Sequence, residues 1–172
     1  MLFRSLVVAV NVSPRQFGGV DLAARVAELL AASGCRAEWL QIEITEGLLI
    51  DDPQAVQATL QALSALGVTL AIDDFGSGHS ALGYLQRFAV DVLKIDRSFV
   101  QPVLDGERHA ALVQAFVSLG QALGLATVAE GVESAGQAAL LARLGCAQAQ
   151  GFHFGLPVPP AAFEAAHLAA AG

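Results

Sequence analysis

The sequence predicts an α/β fold with a parallel sheet, arranged as part of an eight-stranded (β/α) barrel. Two observations lead to this prediction. Short apolar runs rich in β-forming residues alternate with longer segments of helical periodicity, and each predicted strand ends in a polar side chain. The chain has 172 residues, a plausible length for one domain, and no linker or low-complexity segment interrupts the alternation.

The elements follow one another as about six strand-helix units. The predicted strands cover residues 6–11, 40–45, 68–73, 91–95, 125–129 and 147–150. The predicted helices cover residues 21–33, 53–66, 80–87, 107–123, 134–144 and 160–170. Helix boundaries carry sequence signals, with Gly34, Gly67 and Gly124 directly after helices and Pro53 in a first turn. Strands that alternate with helices form parallel sheets with right-handed crossovers.

Composition and charge narrow the range of partners. The formal net charge of −7 argues against a broad nucleic-acid surface, because backbone binding needs clustered Lys and Arg. No apolar run approaches the roughly 20 residues of a membrane-spanning helix, and the first residues lack the pattern of a signal peptide. We therefore expect a cytoplasmic chain without a membrane segment that does not bind DNA.

The chain is apolar for a domain of its size. Hydrophobic residues make up 55% and charged residues 15% of it, and the mean hydropathy is +0.57. Average domains are nearer 45–50% apolar and about 25% charged. Either much of the chain is buried on several sides, or part of its natural cover is absent.

Polar residues at the strand ends predict a functional site. In parallel β/α folds, functional groups lie at the C-terminal ends of the strands. In chain order these ends carry Asn11, Glu43 with Glu46, Asp73 with Asp74, Lys94 with Asp96, Glu130 with Glu133, and Gln150. An open sheet concentrates its ligand groups at one switch point, whereas a barrel points every strand end at one mouth. The even distribution therefore favours the barrel.

These side chains favour divalent-metal chemistry. Carboxylates that share one mouth repel each other, and cations relieve that repulsion. Oxygen ligands without a His or Cys cluster suit Mg²⁺ or Mn²⁺ better than Zn²⁺. The adjacent Asp73 and Asp74 could serve two metals about 3.5–4 Å apart, and Lys94 could orient the attacking oxygen. Each acid taken singly could instead cap a helix, but six polar strand ends in succession are harder to explain in that way.

The same residues resemble successive motifs of EAL domains. The motifs are Asn11-Val12-Ser13-Pro14-Arg15-Gln16-Phe17, Glu43-Ile44-Thr45-Glu46, Asp73-Asp74-Phe75-Gly76-Ser77-Gly78, Lys94-Ile95-Asp96-Arg97-Ser98-Phe99, Ala129-Glu130-Gly131-Val132-Glu133 and Gln150-Gly151-Phe152. The resemblance extends over about residues 6–163. EAL domains are modified TIM-type barrels that hydrolyse cyclic di-GMP to linear pGpG with two Mg²⁺ or Mn²⁺ ions. The resemblance thus implies a partial TIM-type (β/α) barrel, with about six of its eight β-α units.

The resemblance also implies a role for each residue. The implied metal ligands are Asn11, Glu43, Asp73 and Glu130, with Asp74 at the second metal. The implied catalytic residues are Lys94, which holds the nucleophilic water, Glu130, and Gln150 on the water and substrate side. Glu133 is implied to be an acid beside the metals, and Glu46 to anchor the loop after Asp74. That loop and its helix form part of a dimer interface in the family, which implies a possible homodimer.

The sequence departs from the family pattern at its start. No Glu-Ala-Leu segment, with its metal-binding Glu, occurs before Asn11. We therefore expect residues 1–172 to form a single truncated EAL domain that lacks about two β-α units and one metal ligand. Its expected function is cyclic di-GMP phosphodiesterase chemistry with impaired activity. The alternative is a catalytically inactive module that binds cyclic di-GMP or a protein partner.

Overall fold

The computed structural model describes residues 6–19, 21–51, 53–77 and 82–167. Within them, six parallel strands form one sheet in the order β1-β2-β3-β4-β5-β6. The sheet is curled into a half-barrel, and helices connect successive strands. The predicted α/β fold with about six units of a barrel is confirmed.

The strands are β1 (Val8–Asn11), β2 (Leu40–Thr45), β3 (Thr69–Phe75), β4 (Val92–Ile95), β5 (Ala126–Ala129) and β6 (Gln148–Ala149). The helices are α1 (Pro14–Gly19), α2 (Leu22–Ser33), α3 (Leu48–Asp51), α4 (Pro53–Ala65), α5 (Leu82–Leu85), α6 (Arg97–Val100), α7 (Glu107–Leu123), α8 (Ala135–Arg143) and α9 (Pro160–His167). Short 3-10 turns cover Ala37–Trp39 and Gln101–Leu104. None of the described helices is long and apolar enough to cross a membrane.

Most predicted elements agree with the structure to within two residues. The strand at 40–45 and the helix at 107–123 match at both ends, and Gly124 ends the latter in a left-handed conformation. The pattern missed α1, α3, α6 and the two 3-10 turns, because elements of three to six residues are too short to show a period. The predicted helices at 80–87 and 160–170 extend into residues outside the described ranges.

The strands alternate between a helix-facing side and a concave side. Leu70, Ile72, Leu93 and Ile95 are fully buried and belong to the apolar clusters in the layer of helices. On the other side, a small cluster of Ala71, Val92 and Val128 fills the concave face. Two residues further along each strand, the concave face becomes polar. The sheet therefore carries its reactive groups on its inner side, at the strand C-termini.

Among the described residues, β1 and β6 each pair with another strand on one side, which leaves both edges of the half-barrel open. Every residue of β1 is exposed, and Val8 and Val10 keep 62% and 45% of their surface accessible. The segment after β6 exposes Phe152, Phe154 and further apolar side chains. An unpaired strand edge with apolar side chains is a template for association with another chain.

We expect the 172-residue chain on its own to self-associate through the exposed edge of β1. Size-exclusion chromatography with light scattering should give a mass above that of the monomer. Val8→Lys should reduce the associated fraction, because a charge on an edge strand opposes strand pairing. Leu29→Lys is the matched control, since Leu29 is 51% exposed on helix α2, away from the strand edges. A monodisperse monomer for the unmodified chain would contradict the expectation.

Candidate metal centre

Lys94 lies at the centre of three carboxylates. Its Nζ atom is 2.8 Å from Glu43 Oε2, 2.9 Å from Asp73 Oδ1 and 2.8 Å from Glu130 Oε1. Glu43, Asp73 and Lys94 come from β2, β3 and β4, and Glu130 directly follows β5. They meet because alternate side chains of a strand point to the same face, and these four point to the concave face. Lys94 is only 3% exposed.

The charges of this group do not balance. Burial tends to lower the pKa of Lys94, but its hydrogen bonds to Glu130, Glu43 and Asp73 outweigh that effect and raise the pKa above its usual range. Lys94 is therefore a cation at neutral pH. Burial raises the pKa of Glu130, and the nearby charges of Asp73 and Glu43 add to this while Lys94 opposes it. Three acids around one ammonium leave excess negative charge that a further cation would neutralise.

Asp74 adds a fourth carboxylate beside the group. The pairing register between β3 and β4 shifts between Ile72 and Phe75, and Asp74 has a positive φ of 54°. This irregularity breaks the strand's alternation and places two consecutive aspartates near each other. The Asp74 N–H donates to Asp73 Oδ1 at 3.0 Å. Asp96 lies close enough for its charge to act on the pKa of Asp74.

The pKa values of these two aspartates move apart. Burial, then the charges of Asp73 and Asp96, raise the pKa of Asp74. Burial also tends to raise the pKa of Asp96, but hydrogen bonds from the Ser98 hydroxyl and backbone N–H lower it overall. Asp96 is the N-cap of α6 through the Ser98 N–H. Its position before Arg97 therefore serves helix capping as well as the contact with Asp74.

The geometry fits a divalent cation. One oxygen from each of Asp73, Asp74 and Glu130 can be chosen so that all lie within 4.8 Å of one another. All are hard carboxylate oxygens, the donors that Mg²⁺ and Mn²⁺ prefer. Asp73 and Glu130 both take part in this triplet and in the contacts of Lys94. Of the two, Asp73 is the direct chain neighbour of Asp74, which makes it the candidate to be shared between two cations.

Amide side chains hold two of the carboxylates in place. Gln150 Nε2 donates to Glu130 Oε1 at 2.8 Å, from a position immediately after β6. Gln41 Nε2 donates to Glu43 Oε1 at 3.0 Å. The sequence-based prediction missed Gln41, although its spacing of two residues from Glu43 on one strand puts both side chains on the same face.

Asn11 occupies the border of the site. It ends β1, pairs in register with Glu43 on the neighbouring strand and is exposed. The main chain after it is fixed, since the Val12 N–H donates to the Glu43 carbonyl at 2.9 Å. Asn11 thus lies on the same side of the sheet as Glu43, and its role as a ligand stays a prediction.

The two outer acids occupy different surroundings. Glu46 is 3% exposed, and its Oε2 accepts the Gly76 N–H at 3.1 Å, in the loop that follows Asp74. Glu133 is exposed and accepts from Gln101 Nε2 at 3.2 Å, outside the group around Lys94. Residues 78–81 of the loop after Asp74 lie outside the described ranges, so dimer formation there stays a prediction.

Comparison with known proteins agrees with the motifs. The family profile of the EAL domain matches residues 2–157. The chain belongs to the EAL domain family. A relative of this EAL chain is the bifunctional diguanylate cyclase/cyclic di-GMP phosphodiesterase MucR of Pseudomonas aeruginosa. The two are 43% identical over 152 residues, which are 88% of this chain and 22% of MucR. The chain spans about a fifth of the length of the curated relatives it matches.

Solved EAL structures share its fold. The MucR phosphodiesterase, solved in complex with c-di-GMP, superposes with a TM-score of 0.86 at 41% identity, over 91% of this chain and 64% of that chain. BlrP1 of Klebsiella pneumoniae, solved with manganese and cy-diGMP, superposes with a TM-score of 0.80 at 33% identity, over 87% of this chain and 38% of that chain. The manganese complex of this EAL relative and the acidic cluster together indicate the use of a divalent cation.

Proposed function

We propose that this EAL domain is the C-terminal part of a metal-dependent phosphodiesterase that hydrolyses cyclic di-GMP to linear pGpG. The observation that carries the proposal is the buried group in which Lys94 contacts Glu43, Asp73 and Glu130. Packing alone does not explain this group, because apolar residues would fill the same space at a lower free-energy cost than buried charges. Cyclic di-GMP is proposed as the substrate because the relative MucR is named for its cyclic di-GMP phosphodiesterase activity and was solved in complex with c-di-GMP.

The residues take the following proposed roles. Asn11, Glu43, Asp73 and Glu130 hold one cation, and Asp73 and Asp74 serve a second, each cation being Mg²⁺ or Mn²⁺. When bound, two such cations supply Lewis-acid polarisation of a phosphoryl oxygen and lower the pKa of water. Glu133 contributes negative charge from the rim, and Glu46 holds the loop after Asp74 through the Gly76 N–H.

The protein side chains orient the reacting groups. Lys94 carries three donor hydrogens on a charged nitrogen, and its contacts with Glu43, Asp73 and Glu130 occupy all three. Donation to the attacking water oxygen therefore requires one of these contacts to be released. Gln150, which already donates to Glu130, holds that carboxylate on the water side of the site. One water is consumed, one phosphorus–oxygen ester bond opens to give a free hydroxyl and a terminal phosphate, and one proton is released.

Full phosphodiesterase activity is proposed for a polypeptide that contains both the six strands described above and a Glu-Ala-Leu segment. The chain covers 64% of the solved MucR chain, and its β1 edge is open. For residues 1–172 alone, as one incomplete domain, weak or no turnover is proposed. The resemblance further supports a cytoplasmic location and a homodimer through the loop after Asp74. The alternative function is a module that binds cyclic di-GMP or a protein without turnover, and the missing glutamate favours it for the isolated chain.

The test compares two proteins. One is the 172-residue chain, and the other is the same chain preceded by the first two β-α units of the MucR EAL domain. We expect the extended protein to release pGpG from cyclic di-GMP with Mn²⁺ and to stop when EDTA is added. The shorter chain should be at least about tenfold slower, because it lacks a metal ligand. Binding of cyclic di-GMP without pGpG release by the extended protein would favour the alternative. If the extended protein neither binds cyclic di-GMP nor releases pGpG, both the proposed function and the alternative are overturned.

A further inference from the structure

We infer that Gln137 on α8 is a positioning residue that fixes the segment 130–134 and thereby aims Glu130 at Lys94. This inference deepens the proposed function and rests on it, because Glu130 is there a metal ligand. Gln137 is one of the few buried polar residues among those described, with 7% of its surface exposed. It lies outside the group around Lys94, at the third position of α8.

The Gln137 side chain makes three hydrogen bonds, and one of them reaches a distant element. Its Oε1 accepts the Glu133 N–H at 2.8 Å and the Ser134 N–H at 2.9 Å. Its Nε2 donates to the Gln101 carbonyl at 3.0 Å, in the 3-10 turn before α7. One amide therefore ties the segment that begins at Glu130 to the turn that follows α6.

Helix capping explains only part of this arrangement. In a capping box the side chain at the third helical position bonds the N–H of the N-cap, which here is Ser134. The bonds to the Glu133 N–H and to the Gln101 carbonyl are additional, and both lead away from the helix. They act on the segment that carries Glu130 and on the turn beside it.

The segment has little room to adopt another path. A Cβ added to Gly131, whose φ is +70°, would lie 2.6 Å from Arg97 Cβ. A Cβ added to Gly151 would lie 2.2 Å from the Val132 carbonyl oxygen. The Val132 N–H also donates to the Gln150 carbonyl at 3.0 Å. The start of the segment is thus held between α6 and the residues after β6. Gln137 holds its other end through the N–H groups of Glu133 and Ser134.

Loss of the Gln137 hydrogen bonds would affect the site through the position of the Glu130 carboxylate. Glu130 accepts hydrogen bonds from Lys94 and Gln150, both at 2.8 Å. These contacts require the carboxylate to point inward from the first residue after β5. Glu130 is three residues from Glu133, and in the proposed coupling a shift at Glu133 is passed along this short segment to the direction of the carboxylate. Partners that orient metal ligands typically change metal affinity by about 10–100-fold when they are replaced.

The experiment uses the 172-residue chain with three substitutions. Gln137→Ala removes all three bonds. Gln137→Glu keeps an acceptor for the Glu133 and Ser134 N–H groups but cannot donate to Gln101. Gln114→Ala is the matched control, because Gln114 Nε2 likewise donates to a backbone carbonyl, that of Leu144 at 3.3 Å, at the opposite end of α8 from the segment.

Two measurements separate positioning from general stability. The first is the NMR signal of the Lys94 ammonium group, which burial and three acceptors should protect from exchange. The second is Mn²⁺ affinity by calorimetric titration. We expect Gln137→Ala to shift or lose the ammonium signal and to weaken Mn²⁺ binding at least about tenfold. Gln137→Glu should recover affinity to within about threefold of the parent, and Gln114→Ala should leave both readouts unchanged.

Each contrary result has a defined meaning. An unchanged ammonium signal in Gln137→Ala, or no protected signal in the parent, would overturn the positioning role. So would a Gln137→Glu affinity nearer to that of Gln137→Ala than to the parent. Failure of the parent chain to bind Mn²⁺ would instead count against Asp73, Asp74 and Glu130 as a cation site in the 172-residue chain. The ammonium signal would still decide the role of Gln137, because it needs no metal.

Discussion

Replacing Asp73 by Asn in the extended protein is expected to abolish Mn²⁺-dependent release of pGpG. Asp73 contacts Lys94 at 2.9 Å and also shares the triplet with Asp74 and Glu130. Asparagine keeps the size of the side chain but removes one negative charge, from a carboxylate that is proposed to be shared by two cations. The expected loss exceeds about 100-fold, measured as pGpG by chromatography.

Asp91→Asn is the matched control for Asp73→Asn. Asp91 precedes β4, at the opposite end of the strand from the site, and its Oδ2 accepts the Leu70 N–H at 2.8 Å. Asparagine retains an acceptor oxygen there, so the activity should stay within about threefold of the parent. If Asp73→Asn also retained activity within that range, Asp73 would not be a bridging ligand.

Replacing Lys94 by Ala should separate metal binding from catalysis. Without the ammonium, Glu43, Asp73 and Glu130 become buried acids with no cation between them. Removal of one partner from a buried ion pair typically costs about 3–5 kcal/mol, so the metal-free protein should lose much of its stability. Mn²⁺ should restore it, because a ligand that binds only the folded state stabilises that state. Turnover should stay lost, because Lys94 acts on water.

The dependence on pH gives a second test of this cation. The folded-state pKa of Lys94 is raised above its unfolded value of about 10.4, so its contribution to stability is fully present below that pH. It is lost only as the pH rises through the higher folded pKa. Between pH 6 and pH 9, the parent should therefore show no loss of stability that originates from Lys94.

A surface cation provides the comparison for Lys94→Ala. Arg25 pairs with Glu28 at 3.0 Å, with side chains 59% and 68% exposed. Exposed pairs contribute about 0–1 kcal/mol, so Arg25→Ala should change thermal unfolding little. Comparable destabilisation by both substitutions, or loss of Mn²⁺ binding in Lys94→Ala, would contradict the assignment of Lys94 as an internal counter-ion that is not a metal ligand.

Strand ends were predictable because one rule governs them. Parallel strands place their C-termini at one rim, so the amino-acid sequence alone was enough to assign Glu43, Asp73, Lys94 and Glu130 to one mouth. The contacts among them were not predictable, because the order of strand ends does not say which oxygen meets which nitrogen. That the ammonium of Lys94 is shared by three carboxylates depends on strand curvature and register, which the period of the sequence does not encode.

Two local features were hidden for different reasons. The register shift at Asp74 depends on pairing with β4 rather than on the residues of β3 alone. Gln137 looks in sequence like an ordinary partner of Ser134 in a capping box. Its bond to the Gln101 carbonyl joins residues 36 positions apart, and no local pattern predicts such a contact.

The sequential strand order has a consequence for how the site opens. Within the part of the chain that the structure describes, strands are hydrogen-bonded to their neighbours in sequence, so β1 and β6 have one partner strand there while β3 and β4 have two. Local opening begins where the fewest hydrogen bonds must break, and amide exchange should be fastest at these two ends. Asn11 and Gln150 adjoin those ends, whereas Asp73 and Lys94 lie in the middle. The charged group around Lys94 can therefore stay assembled while the flanking amides separate, so the rim can widen without loss of the three carboxylate contacts.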